Sequence, residues 1–177
     1  MAQNSKCVWF TGLPCSGKTT LTSGLRIKLL EKGQSSIVLD GDVLRKTLNS
    51  DLGYDIKSRN IAMDRVAQIA HLLCSQNINT LVSVISPLKK HREYAKKIFE
   101  SENNFYEIYL STNLEECEKR DTKGMYKKAR NNEIKNFTGI DSKYEKPNSP
   151  FMSLDTKEYS ISDSIDLIYE KVFKLDT

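Results

Sequence analysis

The chain has 177 residues, of which 38% are hydrophobic and 28% charged, and a formal net charge of +4. This length predicts a domain that buries its core without disulfides or metals, and the lack of any apolar run near the roughly 20 residues of a membrane span disfavours an integral membrane protein. The four cysteines are dispersed, which disfavours a zinc site or a disulfide framework. The lysines are also dispersed, which disfavours nucleic-acid binding. The N-terminus is unlike a signal peptide, and we expect a cytoplasmic protein.

Short apolar runs alternate with stretches of helical periodicity along the first two thirds of the chain. Four of the runs predict buried strands, at 6–11, 37–40, 80–86 and 105–110. Between them, apolar residues recur at helical spacing, at 21–30, 61–73 and 94–99. This alternation predicts an α/β fold of the P-loop NTPase type, a three-layer sandwich with a mainly parallel sheet and helices on both faces. Ligands of such folds bind at the carboxyl ends of the strands.

A complete phosphate-binding loop follows the first predicted strand. Its sequence, GLPCSGKT, matches GxxxxGK[ST] and stands between a strand and a helix, as the motif requires. The glycines let the backbone wrap the phosphates, Lys18 reaches the β- and γ-phosphate oxygens, and Thr19 is expected to hold Mg²⁺. We therefore predict ATP and Mg²⁺ as cofactors. The predicted nucleotide-binding residues are Gly12, Leu13, Pro14, Cys15, Ser16, Gly17, Lys18, Thr19 and Thr20.

The second predicted strand ends in the sequence LDGDVLR, which places two carboxylates, Asp40 and Asp42, one residue apart and an arginine, Arg45, behind them. In phosphoryl transfer, one carboxylate would orient the metal or its water and the other would align or deprotonate the attacking hydroxyl, while the arginine clamps an anion. The alternative is that Asp42 only caps the following helix. We predict Lys18, Asp40 and Asp42 as catalytic residues, and Thr19 and Asp40 as metal ligands.

The basic stretch 123–136 is polar and helix-compatible, which predicts either a flap over the site or an ordinary surface helix. Lysines gather between 119 and 135, where they could meet an anionic substrate, and we include Lys123 among the predicted substrate-binding residues. The whole predicted flap spans 121–158.

The rest of the sequence, from residue 138 onward, predicts a long loop at 138–155, a short strand at 159–161 and a terminal helix from Ser162 to Phe173. Ser162 and Asp163 suit the N-terminus of this helix. Neither repeats nor linkers interrupt the sequence. We expect a single P-loop kinase domain over 1–177.

Several of these motifs together resemble one family. The chain resembles adenylylsulfate (APS) kinases over nearly its whole length. Four segments carry the resemblance: the loop GLPCSGKT, the segment LDGDVLR, the tripeptide Ile85 to Pro87 and the run RDTKGMYKKARNNEIKNFTGIDSKYEKP. The last run is the most specific, because a generic P-loop kinase has no reason to carry KNFTGID. The resemblance implies a cytoplasmic homodimer that moves the γ-phosphate of ATP to a ribose 3′-hydroxyl with Mg²⁺.

The resemblance also assigns residues by position. The two aspartates match the family's DGD pair, and Arg45 and Arg59 match its substrate-binding arginines. Phe137 matches an aromatic residue that stacks on the substrate base, and Tyr54 stands where the family usually has a partner phenylalanine. Stacking between two rings is a strong, base-tolerant contact.

Ile85 and Ser86 match residues that line the substrate site, and the position of Ser86 is one proposed to form a phosphoserine intermediate. Ser86 is therefore a catalytic candidate. Direct transfer needs only Mg²⁺, Lys18 and an in-line acceptor, so substrate binding through the Ser86 hydroxyl or amide is the physically simpler role.

The sequence departs from the family near the acceptor site. Where the family pattern resembles GFSxxDRxEN, this chain has Asp55 for the serine and Ala62 for the asparagine, and Asp64 replaces an arginine beyond it. The resemblance implies that the acceptor is a nucleoside 5′-phosphoanhydride. Because of these departures, its identity stays open between APS and cytidine diphosphoramidate, which is the acceptor of a related 3′-kinase of capsule phosphoramidate synthesis. A nucleotide-dependent switch or binding protein is a more distant alternative, since the guanine-reading NKxD motif is absent.

Overall fold

The computed structural model describes residues 5–100 and 103–174, and within them five strands and seven helices. The strands are β1 (Cys7–Gly12), β2 (Ser36–Asp40), β3 (Asn79–Ser83), β4 (Phe105–Leu110) and β5 (Met152–Leu154). The helices are α1 (Lys18–Glu31), α2 (Gly41–Lys46), α3 (Ile56–Ser75), α4 (Lys89–Ile98), α5 (Leu114–Lys119), α6 (Met125–Arg130) and α7 (Ile161–Phe173). Among the described residues, none of these helices is both long and apolar enough to cross a membrane.

The strands form one sheet in the order β2-β3-β1-β4-β5, and every pairing is parallel. β1 lies in the centre, with Gly12 opposite Leu110 of β4, while Asp40 lies opposite Ser83 between β2 and β3. Because parallel strands end at the same edge of a sheet, the segments that follow β1, β2 and β3 meet there. The predicted parallel α/β fold is confirmed.

Helices cover both faces of the sheet, as the sequence predicts. Successive residues of β1 point to opposite faces, so Val8 and Phe10 pack with α1 and α7, whereas Cys7 and Trp9 pack with α3 and α4. All four side chains are fully buried. This two-sided burial is the reason that the central strands appear in the sequence as continuous apolar runs.

The sequence prediction extends the third strand beyond its end in the structure. β3 ends at Ser83, and the chain turns before Pro87 because Ser86 adopts a left-handed backbone with φ of 38°. The carbonyl of Ile85 accepts from Thr11 Oγ1, and the carbonyl of Ser86 accepts from Arg92, so neither is available to a ladder. Ile85 and Ser86 therefore lie in a turn, outside the sheet.

The last strand was also misplaced by the sequence. In the segment predicted as a strand, 159–161, the first two residues lead into α7 and Ile161 is the first residue of that helix. The N-cap of α7 is Ser160, whose hydroxyl accepts from Asp163 N at 3.1 Å. The fifth strand lies instead at Met152–Leu154, inside the predicted loop, where it pairs with β4. A strand of three residues is too short to show a period of two.

We expect Gly24→Leu to lower the free energy of unfolding by about 1–3 kcal/mol, the usual cost of overpacking. A Cβ atom at Gly24 in α1 would lie 2.2 Å from Ile165 Cδ1 of α7. Urea unfolding measures the change, and adding Ile165→Ala is expected to restore part of it. Ser23→Leu, on the exposed side of α1, is the control; a loss as large there would contradict close packing at Gly24.

Candidate active site

The phosphate-binding loop connects the central strand β1 to the N-terminus of α1. Gly12 has φ of 153°, and a Cβ atom there would lie 2.8 Å from the carbonyl oxygen of Leu110 and 2.9 Å from Ser16 Oγ. Gly17, with φ of 99°, is the N-cap residue of α1. Only glycine fits this combination of a close approach and a left-handed backbone at Gly12.

Lys18 lies buried inside this loop. Its Nζ donates to the carbonyl oxygens of Gly12 and Leu13 at 3.0 and 2.6 Å and to Ser16 Oγ at 3.3 Å. These partners are uncharged, and burial lowers the pKa of Lys18 to about 8. The phosphates of a nucleotide would supply the negative charge that this ammonium group lacks in the free loop.

The two residues predicted to hold Mg²⁺ lie side by side. Thr19 Oγ1 donates to Asp40 Oδ2 at 2.8 Å, and the other oxygen of Asp40 accepts from the backbone N–H of Asp42 and Val43 at 2.9 and 3.3 Å. Asp40 is therefore the N-cap of α2, and the alternative in which Asp42 caps this helix is wrong. A hydroxyl beside a carboxylate fits Mg²⁺, which keeps several waters and takes further oxygens from phosphates.

Asp42 faces outward from α2 and forms an ion pair across the front of the loop. Its Oδ2 accepts from Lys123 Nζ at 2.7 Å, and both side chains are more than 70% exposed. The hydrogen bond that Lys123 donates to Asp42 raises the pKa of Lys123. An exposed pair of this kind contributes less than about 1 kcal/mol, so either partner can exchange it for a contact with substrate.

The segment from α6 to Tyr144 covers the phosphate-binding loop. Tyr126 Oη donates to the carbonyl of Pro14 at 3.0 Å and its ring meets Phe137 edge-on, with centroids 4.9 Å apart. Asp141 accepts from the backbone N–H of Asn136 and Phe137 at 2.6 and 2.5 Å. Phe137 is thus held at its ring by Tyr126 and at its backbone by Asp141. The sequence predicted either a flap or a surface helix here, and the structure places the segment against the phosphate-binding loop.

Of the predicted substrate-binding arginines, Arg59 connects the loop before α3 to this covering segment, and Arg45 connects α2 to the same loop. Arg59 donates to the carbonyl of Tyr54 at 2.8 Å, to Thr138 Oγ1 at 2.6 Å and to the carbonyl of Asn136. Arg45 donates to the carbonyl of Gly53 at 2.7 Å and lies 4.7 Å from the centroid of the Tyr54 ring. Burial, and next the positive charge of Arg45, lower the pKa of Arg59. Such a pair of neighbouring guanidinium groups would favour an anion.

Ser86 lies in the turn after β3 and is 1% exposed. Its hydroxyl accepts from Trp9 Nε1 at 3.1 Å and donates to Thr11 Oγ1 at 3.0 Å. The structure therefore places this predicted residue beneath the site floor, with both bonds made to protein atoms. Ile85, its partially exposed neighbour, borders the site.

Sequence reasoning missed several residues that support the site. Arg92 is 3% exposed and bridges three segments, while Thr156 accepts from Arg120 at 2.6 Å and donates to the carbonyl of Ser16 at 3.1 Å. Arg92 follows two lysines on a polar helix, so nothing in its local pattern separates it from a surface residue. Thr156 belongs to no motif, and no local signal could have found it.

Comparisons with known proteins agree on one family. The family model described as adenylylsulphate kinase matches residues 4–155. The adenylyl-sulfate kinase of Clostridium acetobutylicum is 45% identical over 170 residues, which cover 96% of this chain and 84% of the relative. A probable adenylyl-sulfate kinase of Bacillus subtilis is 45% identical over 166 residues, with coverage of 93% and 83%.

Solved structures give the same result. The APS kinase CysC of Mycobacterium tuberculosis, in complex with AMPPNP and APS, superposes with a TM-score of 0.91 at 43% identity and covers 94% of this chain and 96% of its own. A gluconokinase of Sinorhizobium meliloti shares the fold alone, with a TM-score of 0.65 at 12% identity and coverage of 97% and 93%.

We expect Lys18→Met to stabilise the free protein at pH 7 by about 1–3 kcal/mol while abolishing any phosphoryl transfer. The folded pKa of about 8 lies below the usual value of 10.5, so below pH 8 the unfolded state binds the proton more strongly and the charged lysine costs stability. This cost disappears as pH rises from about 8 to 10.5.

Urea unfolding at pH 7 and 9.5 tests this sign, because the advantage of the variant should shrink at the higher pH. Lys28→Met, in the same helix but ion-paired with Asp166, is the control and should show no gain at pH 7. A Lys18→Met protein less stable than wild type at pH 7 would show that burial of this lysine carries no cost.

Proposed function

Because this chain belongs to the adenylylsulphate kinase family and is a phosphotransferase, we propose that it transfers the γ-phosphate of ATP to the ribose 3′-hydroxyl of APS. The observation that carries the proposal is the arrangement of Lys18, Thr19 and Asp40 around one loop, with Asp42 and two arginines beside it. The first group suits a nucleotide triphosphate with Mg²⁺, and the second suits an anionic acceptor.

The donor half of the reaction rests on the phosphate-binding loop. Lys18 would exchange its bonds to Gly12 and Leu13 for the β- and γ-phosphate oxygens. Thr19 and Asp40 would hold Mg²⁺, which when bound neutralises charge on the phosphate oxygens. Asp40 is fixed by its two bonds to the backbone of α2, so its second oxygen, beside Thr19, would be held in place for the ion.

The acceptor half rests on the residues that face the loop from outside. Asp42 would leave Lys123 to align the 3′-hydroxyl and accept its proton, and the freed Lys123 would meet phosphate or sulfate oxygens. Arg45 and Arg59 would bind the anhydride, and the rings of Tyr54 and Phe137 would hold the base. These contacts would hold the hydroxyl in line with the transferred group.

We assign Ser86 to positioning and propose direct transfer from ATP to the acceptor. Its hydroxyl is buried and engaged by Trp9 and Thr11, so acting as a nucleophile would require breaking both bonds and opening the turn. The half-buried Ile85 is the residue of this turn that would face the substrate.

Two departures from the family pattern have local explanations that support APS. Asp55 is the N-cap of α3, where it accepts from the N–H and the hydroxyl of Ser58 at 3.0 and 2.6 Å, as a serine could in part. Asp64 is exposed and lines a shallow depression beside Arg65 and Gln68 on α3. Neither carboxylate is hydrogen-bonded to Arg45 or Arg59, whose donors bind backbone carbonyls and Thr138.

The third departure from the family pattern, Ala62, supports a second candidate for the acceptor. Ala62 is fully buried and provides no polar side chain where the family has asparagine. An acceptor with a different base or tail would fit such a loss, and cytidine diphosphoramidate is that candidate.

From the family resemblance we also propose a homodimer, a cytoplasmic location and a single kinase domain over 1–177. Sedimentation equilibrium of the purified chain tests the first of these proposals.

We expect APS to be phosphorylated when the enzyme is incubated with ATP and Mg²⁺, and Asp42→Asn to lower kcat by a factor of about 10²–10⁴ because the hydroxyl loses its base. ³¹P spectra identify the product, and a parallel incubation with cytidine diphosphoramidate decides between the acceptors. Asp166→Asn removes another exposed carboxylate that is paired with a lysine, and it should leave kcat unchanged. If neither acceptor consumes ATP, the proposed function is wrong.

We expect Tyr54→Ala and Phe137→Ala each to raise the acceptor KM by about 5- to 100-fold, the usual loss from one stacked ring, with the ATP KM within twofold of wild type. Steady-state kinetics with each substrate varied in turn measures both values. Phe151→Ala removes a partly exposed ring that packs on Tyr106, away from these residues, and serves as the control. Equal losses for ATP and acceptor would argue against stacking on the base.

A further inference from the structure

A buried chain of hydrogen bonds runs beneath the acceptor side of the site. The indole N–H of Trp9 can only donate, so it fixes the Ser86 hydroxyl as its acceptor at 3.1 Å. Ser86 in turn donates to Thr11 Oγ1 at 3.0 Å, and Thr11 donates to the carbonyl of Ile85 at 2.7 Å. The proton of Thr11 is thereby used, so the hydroxyl of Tyr144, 2.8 Å away, must be the donor in their contact. The directions in the chain follow from its two fixed groups: the indole N–H, which can only donate, and the Ile85 carbonyl, which can only accept.

The chain holds a strained turn. Ser86 has φ of 38°, a left-handed conformation that costs a residue with a Cβ atom about 1–2 kcal/mol. Such a conformation persists only where surrounding contacts enforce it. The hydroxyl of Ser86 is bound by Trp9 and Thr11, and its carbonyl accepts from Arg92 Nη1 at 2.6 Å. The turn is therefore imposed by side chains from β1 and α4.

The same chain attaches the covering segment to the turn. Tyr144 reaches Thr11 through its hydroxyl, and Arg92 Nη2 donates to the carbonyl of Glu145 at 2.6 Å while its Nε pairs with Glu107 at 2.9 Å. The backbone N–H of Glu145 also donates to the carbonyl of Pro87 at 2.8 Å. The turn at Ile85 and the segment beyond Phe137 are thus held as one unit.

We infer that Trp9 is a positioning residue for the acceptor: its indole N–H, through the Ser86 hydroxyl, holds the turn at 85–87 and its attached covering segment in the shape that receives the nucleotide acceptor. Trp9 is fully buried in β1 and touches no substrate. The inference rests on the proposed function, because it assigns the turn to that acceptor.

The test begins with Trp9→Phe, which keeps an aromatic ring in the core and removes the N–H. We expect the acceptor KM to rise about tenfold, the effect of one lost buried hydrogen bond to the turn, with the ATP KM within twofold of wild type. Phe10→Leu, the neighbouring buried residue on the other face of the sheet, is the control for lost core packing. It should lower stability and leave both KM values within twofold.

Rescue separates positioning from packing. In the Trp9→Phe background, Ser86→Gly should lower the raised acceptor KM several-fold towards the wild-type value, because glycine adopts a left-handed backbone without a Cβ penalty. Ser86→Ala in the same background should recover nothing. Equal behaviour of the two double variants, or a loss shared equally by ATP and acceptor, would overturn the inference.

Amide hydrogen exchange provides a readout that needs no turnover. Trp9→Phe should raise exchange about tenfold in peptides covering 84–89 and 144–147, and Phe10→Leu should not. If wild type phosphorylates neither acceptor, the proposed function fails while the exchange result still decides whether Trp9 holds the turn. Should Trp9→Phe not fold, Tyr144→Phe removes the donor at the other end of the chain, and unchanged exchange and unchanged acceptor KM in that variant would overturn the inference.

Discussion

Parallel pairing of β1 with β3 on one side and β4 on the other is the constraint on which the candidate site depends. Carboxyl ends of parallel strands lie at one edge, so the phosphate-binding loop, Asp40 and the turn at Ser86 arrive together although they are far apart in sequence. The register also sets how tightly they meet, because Gly12 opposite Leu110 leaves no space for a side chain. The shape of the loop is therefore a property of the sheet as well as of its motif.

Two buried cations support this edge, and they are satisfied in different ways. Lys18 has only carbonyl and hydroxyl partners, so burial lowers its pKa and the free loop lacks a counter-charge. Arg92 has the carboxylate of Glu107 and two backbone carbonyls, which use its planar donors in three directions. The first arrangement suits a group that waits for an anionic ligand. The second suits a group whose work is to keep other segments in place.

Contacts at the front of the site are exposed and exchangeable, in contrast to those beneath it. The pair between Asp42 and Lys123 closes the site from a solvent-facing position. Such contacts are weak in water, so substrate groups of matching charge can replace them at little cost. The buried network through Trp9 and Ser86 cannot be exchanged so easily, because each of its polar atoms would lose its partner. The residues proposed to contact substrate thus lie at the surface, and the residues that hold the site in shape lie in the core.

The sequence by itself determined the parallel α/β class, the donor loop and the carboxylate pair, because strand and helix periods and the P-loop motif are local patterns. Only the tertiary structure decided that Asp40 caps α2 and contacts Thr19, that the strand ends before Ser86, and that Arg92 is a buried support. Residues far apart in sequence make these contacts, and no local propensity records them. The short strand β5 belongs to the same class, since its three residues gain their conformation from pairing with β4.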